Sequence, residues 1–142
     1  MANISARFIT IGILYALLAM CLGVWMGVNQ EFQNAHLHAH INLVASVWFV
    51  LFALAYKAYP ATATTRLAAV HFWLANLGAA IFLPGIYIAM NYESPLLAIV
   101  GSLLTIASMV AFLVNFRRNY AAGVSPSAVA PSAVISARSP AA

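Results

Sequence analysis

Four long apolar stretches dominate the sequence, and short polar segments separate them. The stretches cover residues 8–28, 35–59, 67–90 and 96–116. A helix needs about 20 residues to cross a hydrocarbon layer ~30 Å thick, and each stretch is long enough to do so. The runs are continuously apolar and lack the alternation of a transmembrane strand, so they predict four membrane-spanning helices.

The connections between these stretches are short, which makes successive helices antiparallel neighbours. They cover residues 29–34, 60–65 and 91–95. Small residues recur at helical spacing in the first, third and fourth stretches, where they would let neighbouring backbones approach closely. We therefore predict an all-α fold, an integral membrane four-helix bundle that occupies residues 1–118.

The composition supports a membrane protein and excludes several other classes. Only 6% of the 142 residues are charged and 65% are hydrophobic, whereas a soluble domain is about one quarter charged. A soluble enzyme, a disulfide scaffold and a nucleic-acid binder are therefore excluded, and the single Cys21 cannot form an internal disulfide. The segment 119–142 is rich in Ala, Ser and Pro, and we expect it to be a disordered tail.

The positions of the charges predict an orientation in the membrane. Cations flank the first stretch, the second connection and the end of the fourth stretch: Arg7, Lys57, Arg66, Arg117 and Arg118. The other two connections carry Glu31 and Glu93 and no cation. By the positive-inside rule, both termini are cytoplasmic, in a bacterial inner membrane. The first stretch is too long for a secretory signal and lacks an A-x-A cleavage site, so we expect it to remain as a span.

Three of the four histidines lie within five residues at the outer start of the second stretch. At 100° per residue, His36 and His40 share one helix face and His38 lies nearly opposite. Such histidines cannot converge on one bare ion, but each could approach a planar cofactor from a different side, as in bis-imidazole haem. Two alternatives stay open. The histidines could be interfacial residues that lie among the lipid headgroups, or they could form a haem-free site for copper or another metal.

The histidine segment resembles the catalytic subunit of the haem-copper oxidases, with nitric-oxide reductases and cbb3-type oxidases the nearest likeness. The similar segments are HINLV at 40–44, AYKAYP at 55–60 and HFWLANLG at 71–78. The resemblance implies that His40 ligates a low-spin b haem, with Asn42 in the same cofactor-binding motif. It also implies that His38 and His40 form a His-x-His pair, each an axial ligand of haem iron. His36 is then a further ligand or a rim residue above the propionates.

The departures from that family predict an assembly. The family's catalytic subunit has twelve spans in three four-helix arcs, and this chain has the size of one arc. We therefore expect a twelve-helix homotrimer, in which His40 of one copy and His38 of the next hold a haem between subunits. Closed cyclic symmetry makes such interfaces acceptable.

The chain lacks the usual parts of an oxygen or nitric-oxide reductase. It has no adjacent His pair for a second metal and no Asp or Glu within a span, although buried proton relays normally need such groups. We therefore lean against an enzyme and expect electron transfer or gas-ligand binding, with a periplasmic cytochrome or quinol as redox partner. The alternatives are a copper-binding membrane protein and a cofactor-free accessory subunit of a respiratory oxidase.

His71 lies near the cytoplasmic end of the third stretch, too far from the outer cluster to share its iron. It could bind a quinone headgroup or ligate an inner haem. It could equally be an interfacial histidine hydrogen-bonded to a neighbouring helix.

Overall fold

The computed structural model describes residues 4–123, which are almost entirely helical. The helices are α1 (Ile4–Asn29), α2 (Ala35–His40), α3 (Trp48–Ala58), α4 (Pro60–Ala63), α5 (Arg66–Tyr92) and α6 (Leu96–Asn119). A π-helical segment, Ile41–Val47, joins α2 to α3, and a 3₁₀ turn, Tyr120–Gly123, follows α6. Together α2, the π-helical segment and α3 form one span, Ala35–Ala58, called here the second span.

The prediction of four spans is confirmed at the level of helix length and apolar composition. The four long helices begin and end close to the predicted limits, and each is apolar enough to cross a membrane. This pattern indicates a multi-pass membrane protein. Helical structure continues to Gly123, within the predicted tail 119–142, and residues 124–142 lie outside the described part.

The third and fourth spans, α5 and α6, pack closely because small residues line their contact. A Cβ added to Gly78 would lie 2.8 Å from Oγ1 of Thr105. One added to Gly85 would overlap the backbone at Ala98, and one added to Gly101 would overlap the backbone of Phe82. The backbones therefore approach through glycine contacts, as the small residues in these two stretches predict.

The first span packs against the second through its own glycines. A Cβ at Gly12 would lie 3.2 Å from the Cβ of Phe49 and from the carbonyl oxygen of Ser46. Gly23, three turns further along α1, faces the side chain of His38. Gly27 has no atom within 4 Å of an added Cβ, so only part of the predicted small-residue face in α1 is used within this chain.

An aromatic cluster joins all four spans at the end of the bundle that carries the N-terminus of α1. Phe8 of α1 lies 5.5 Å from Phe52 of the second span and 5.0 Å from Phe72 of α5, measured between ring centroids. Phe52 lies 4.9 Å from Phe112 of α6. Aromatic pairs at such separations stabilise beyond their area burial, so this cluster is the main core of the fold.

At the opposite end the spans separate around an apolar cavity of about 490 Å³. It lies between α1, the start of the second span and the last part of α5. Its lining includes Leu18, Leu22, Leu37, Ile41, Leu83 and Tyr87. The histidine cluster therefore stands at the looser end of the bundle.

The π-helical segment begins one residue after the last clustered histidine and was not predicted. The backbone N–H of Trp48 bonds to the carbonyl oxygen of Leu43, five residues earlier. Short π-helical segments are often found at functional sites. Because its turn is wider than that of an α-helix, this segment changes the angle about the helix axis between the histidines and the aromatic residues of α3.

Candidate functional site

The three clustered histidines lie on different sides of the second span. His36 is exposed, and His38 and His40 are half-buried. His38 packs against α1, where a Cβ on Gly23 would lie 2.9 Å from its Cε1. The ring of His40 lies edge-on to Phe82 of α5, with centroids 5.3 Å apart. The two side chains thus approach opposite neighbours, as helical spacing predicts.

His40 is held in one tautomer by the backbone of its own helix. Its Nδ1 lies 2.7 Å from the carbonyl oxygen of His36. A carbonyl oxygen only accepts, so Nδ1 must carry the proton, and in the neutral ring Nε2 keeps its free lone pair. Metal-ligating histidines commonly have this arrangement, in which one ring nitrogen donates to a carbonyl and the other binds the metal.

His38 is fixed by Asn42, one turn further along. The amide nitrogen of Asn42 lies 3.2 Å from Nε2 of His38 and 3.1 Å from its carbonyl oxygen. The amide donates in both contacts, so Nε2 accepts and the proton lies on Nδ1, which is buried without a hydrogen-bond partner. The acceptor nitrogen of His38 is therefore already engaged, and Asn42 orients His38 rather than His40.

Asparagine and glutamine side chains connect the start of the second span to the end of α5. The amide of Gln33 donates to Oδ1 of Asn91 at 3.1 Å, and the amide of Asn91 lies 3.5 Å from Oδ1 of Asn34. Asn34 occupies the N-cap position of α2 but forms no side-chain cap hydrogen bond. These contacts fix the position of the histidines along the axis of α5.

His71 lies at the opposite end of the bundle and is fully buried. Its Nδ1 is 2.9 Å from the hydroxyl of Tyr56 on the second span. A hydrogen bond to a neighbouring helix is therefore present, and the imidazole lies in the protein core. His71 does not approach the clustered histidines.

Aromatic rings enclose His71 on several sides. Ring centroids of Phe8, Phe52 and Phe112 lie 5.0, 4.5 and 5.2 Å from its own. Its Nε2 is buried and has no hydrogen-bond partner. A quinone headgroup or a haem would have to displace these rings to reach His71, so the arrangement favours a structural role.

Sequence reasoning missed the polar residues that extend from His71 towards α6. The amide of Asn115 lies 3.4 Å from the hydroxyl of Tyr56 and donates to the carbonyl oxygen of Thr62 at 2.9 Å. The hydroxyl of Thr65 donates to Oδ1 of Asn115 at 2.7 Å. The available signal was an asparagine near the end of an apolar span, where a polar side chain needs partners.

No three ligating side chains meet within the described chain. Among residues 4–123, no group of three or more His, Cys, Asp or Glu side chains is placed to hold a metal ion. A bare transition-metal site usually takes three or four protein ligands. Within one copy, the cluster therefore offers single imidazoles and not a complete metal cage.

Comparisons of the chain with known protein families, with curated proteins and with solved structures find no match. Functional inference therefore rests on the chain's own residues.

Proposed function

We propose that this chain is a b-type haem-binding protein of the bacterial inner membrane and that His40 is an axial ligand. The observation that carries the proposal is the contact between Nδ1 of His40 and the carbonyl oxygen of His36, at 2.7 Å. It orients an imidazole near the start of the second span and leaves Nε2 able to coordinate iron.

The number of available ligands favours haem over bare copper. A porphyrin supplies four nitrogen donors, so the protein needs to add only one or two. In the described chain, no three ligating side chains come together, and a haem site does not need three. Copper bound through the outer histidines is the second candidate, and it would require ligands from more than one copy.

The opposite directions of His38 and His40 support a site shared between copies. One iron cannot take both from a single chain, because one packs on α1 and the other on α5. In the proposed homotrimer, His40 of one copy and His38 of the next are the axial pair. Nε2 of His38 would then bind iron in place of the Asn42 amide. That amide would keep its hydrogen bond to the backbone carbonyl oxygen of His38.

When bound, haem iron held by both imidazoles would provide one-electron transfer, and a gas ligand would bind only in place of one of them. The chain's own residues give little support for proton-consuming turnover, because its only two acidic residues, Glu31 and Glu93, follow α1 and α5 outside the spans. We therefore propose an electron-transfer or gas-binding role. In the predicted orientation the histidines would lie at the periplasmic side, where a cytochrome or quinol could be the redox partner.

A reduced-minus-oxidised visible spectrum of the purified full chain tests the proposal. The protein is prepared in mild detergent from cells supplied with haem precursor. We expect sharp α and Soret bands that His40→Ala removes at least in part. His36→Ala is the matched control, because it removes an exposed imidazole one turn away and keeps the carbonyl that orients His40.

Each outcome of this experiment separates the candidates. A colourless, well-folded preparation contradicts haem binding. Copper without haem bands favours the second candidate, and neither cofactor favours an accessory subunit of a larger oxidase. The mass of the complex in mild detergent tests the trimer, and a stable haem-loaded monomer contradicts it.

A further inference from the structure

The end of the bundle that carries the N-terminus of α1, called here the basic end, has cations without anionic side chains to balance them. Five of the six Lys and Arg residues lie there: Arg7, Lys57, Arg66, Arg117 and Arg118. The only two acidic residues, Glu31 and Glu93, lie at the opposite end. Anionic lipid headgroups attract such a cluster of cations at a membrane surface.

A cavity of about 310 Å³ opens at the basic end, between the start of α1 and the start of α5. Polar and apolar side chains line it, including Arg7, Thr64, Thr65, Ala69, Phe72 and Trp73. The guanidinium carbon of Arg7 lies 5.8 Å from the centre of the Phe72 ring. This cation–π contact holds the cation at the cavity wall.

The lining matches the parts of a phospholipid. The guanidinium group offers N–H donors that suit a phosphate. The hydroxyl of Thr65 is not free to bind a phosphate, because it donates to Asn115 and accepts from the N–H of Ala68. Ala69 and the exposed ring of Trp73 continue the wall along α5, away from the N-terminus of that helix, and tryptophan favours the headgroup level of a bilayer.

We propose that this cavity binds an anionic phospholipid, with Arg7 contacting the phosphate and Trp73 contacting the glycerol and upper acyl region. Charge complementarity selects an anionic lipid over a zwitterionic one, since the basic end has no side-chain carboxylate. The proposal is independent of haem binding, because none of the lining residues belongs to the histidine cluster.

Fluorescence of Trp73 tests the site directly. The chain contains three tryptophans, so Trp25→Phe with Trp48→Phe leaves Trp73 as the only reporter. The full chain is reconstituted into vesicles of phosphatidylcholine that contain increasing fractions of brominated phosphatidylglycerol or brominated phosphatidylcholine. We expect the brominated phosphatidylglycerol to quench Trp73 at the lower fraction.

Charge variants locate the effect. In the same background, Arg7→Gln should reduce the preference for phosphatidylglycerol about fivefold, because Arg7 is the one cation among the residues that line the described cavity and a cation beside an anionic headgroup contributes about this much. Arg117→Gln removes an equal charge from the same end outside the cavity and should keep most of the preference. Circular dichroism checks that both variants remain helical.

Three results would overturn the proposal. Arg7→Gln could leave the preference unchanged, or Arg117→Gln could reduce it as much as Arg7→Gln does, which would indicate a diffuse field. The third is relief of quenching by inorganic phosphate at constant ionic strength, because the cavity would then take a free phosphate in place of a lipid.

Discussion

The hydroxyl of Tyr56 lies 2.9 Å from Nδ1 of His71, and this hydrogen bond joins the second and third spans inside the aromatic core. The amide of Asn115 donates to the same hydroxyl at 3.4 Å, so the Tyr56 proton points to His71. The remaining proton of His71 is then on Nε2, among aromatic rings, where N–H···π contacts are available. The network therefore gives His71 a role in holding three spans together.

Tyr56→Phe should destabilise the fold by about 1–2 kcal/mol. The substitution keeps the ring but leaves Nδ1 of buried His71 without its hydrogen-bond partner, and an unsatisfied buried group costs about this much. Reversible unfolding in mixed detergent micelles measures the change. Tyr92→Phe is the control, because Tyr92 is 70% exposed. Equal stability of the two variants would show that the hydrogen bond contributes nothing.

The number and limits of the spans were predictable because hydrophobic length alone sets them. The predicted stretch 67–90 became Arg66–Tyr92, and the predicted 35–59 became Ala35–Ala58. The π-helical segment Ile41–Val47 was not predictable, since its residues also suit an α-helix and only backbone hydrogen bonds distinguish the two. The core position of His71 was missed because rings from three other helices create it.

The directions of the clustered histidines were predictable, and their partners were not. The 100° rotation per residue places His38 and His40 on different flanks. That His38 meets Gly23 depends on how α1 packs, which no local pattern encodes. The contact between Asn42 and His38 is an ordinary i, i+4 pair, whereas the resemblance to haem-copper oxidases predicted Asn42 in the motif of His40.

Gly101→Ala should destabilise the protein by roughly 1–3 kcal/mol, the usual effect of overpacking. The added methyl group would overlap the backbone of Phe82 in α5, so α5 and α6 would have to separate. Gly27→Ala makes the same chemical change where nothing lies within 4 Å. It should be neutral or slightly stabilising in the same unfolding assay. If both variants unfold alike, the close contact of α5 and α6 does not limit stability.

Gly23→Ala should expose His38 while the fold stays intact. The new Cβ would meet Cε1 of His38 at 2.9 Å, and a flexible imidazole relieves such a contact by turning away. Modification by diethyl pyrocarbonate, read by mass spectrometry of peptides, should therefore rise at His38. His36, which is already exposed, provides the internal reference and should react equally in both proteins. An unchanged ratio would mean that Gly23 does not position His38.

Cysteine labelling should show that the two ends of the bundle face opposite sides of the membrane. Ser94 and Thr64 are exposed residues at opposite ends, and Ser94→Cys and Thr64→Cys change no charge. Both are made in a Cys21→Ser background, because Cys21 is the only native cysteine. The cations at the basic end favour the cytoplasm, so a membrane-impermeant maleimide should label the Ser94→Cys protein in intact cells. The Thr64→Cys protein should react only after permeabilisation, and the reverse pattern would place the histidine cluster at the cytoplasmic surface.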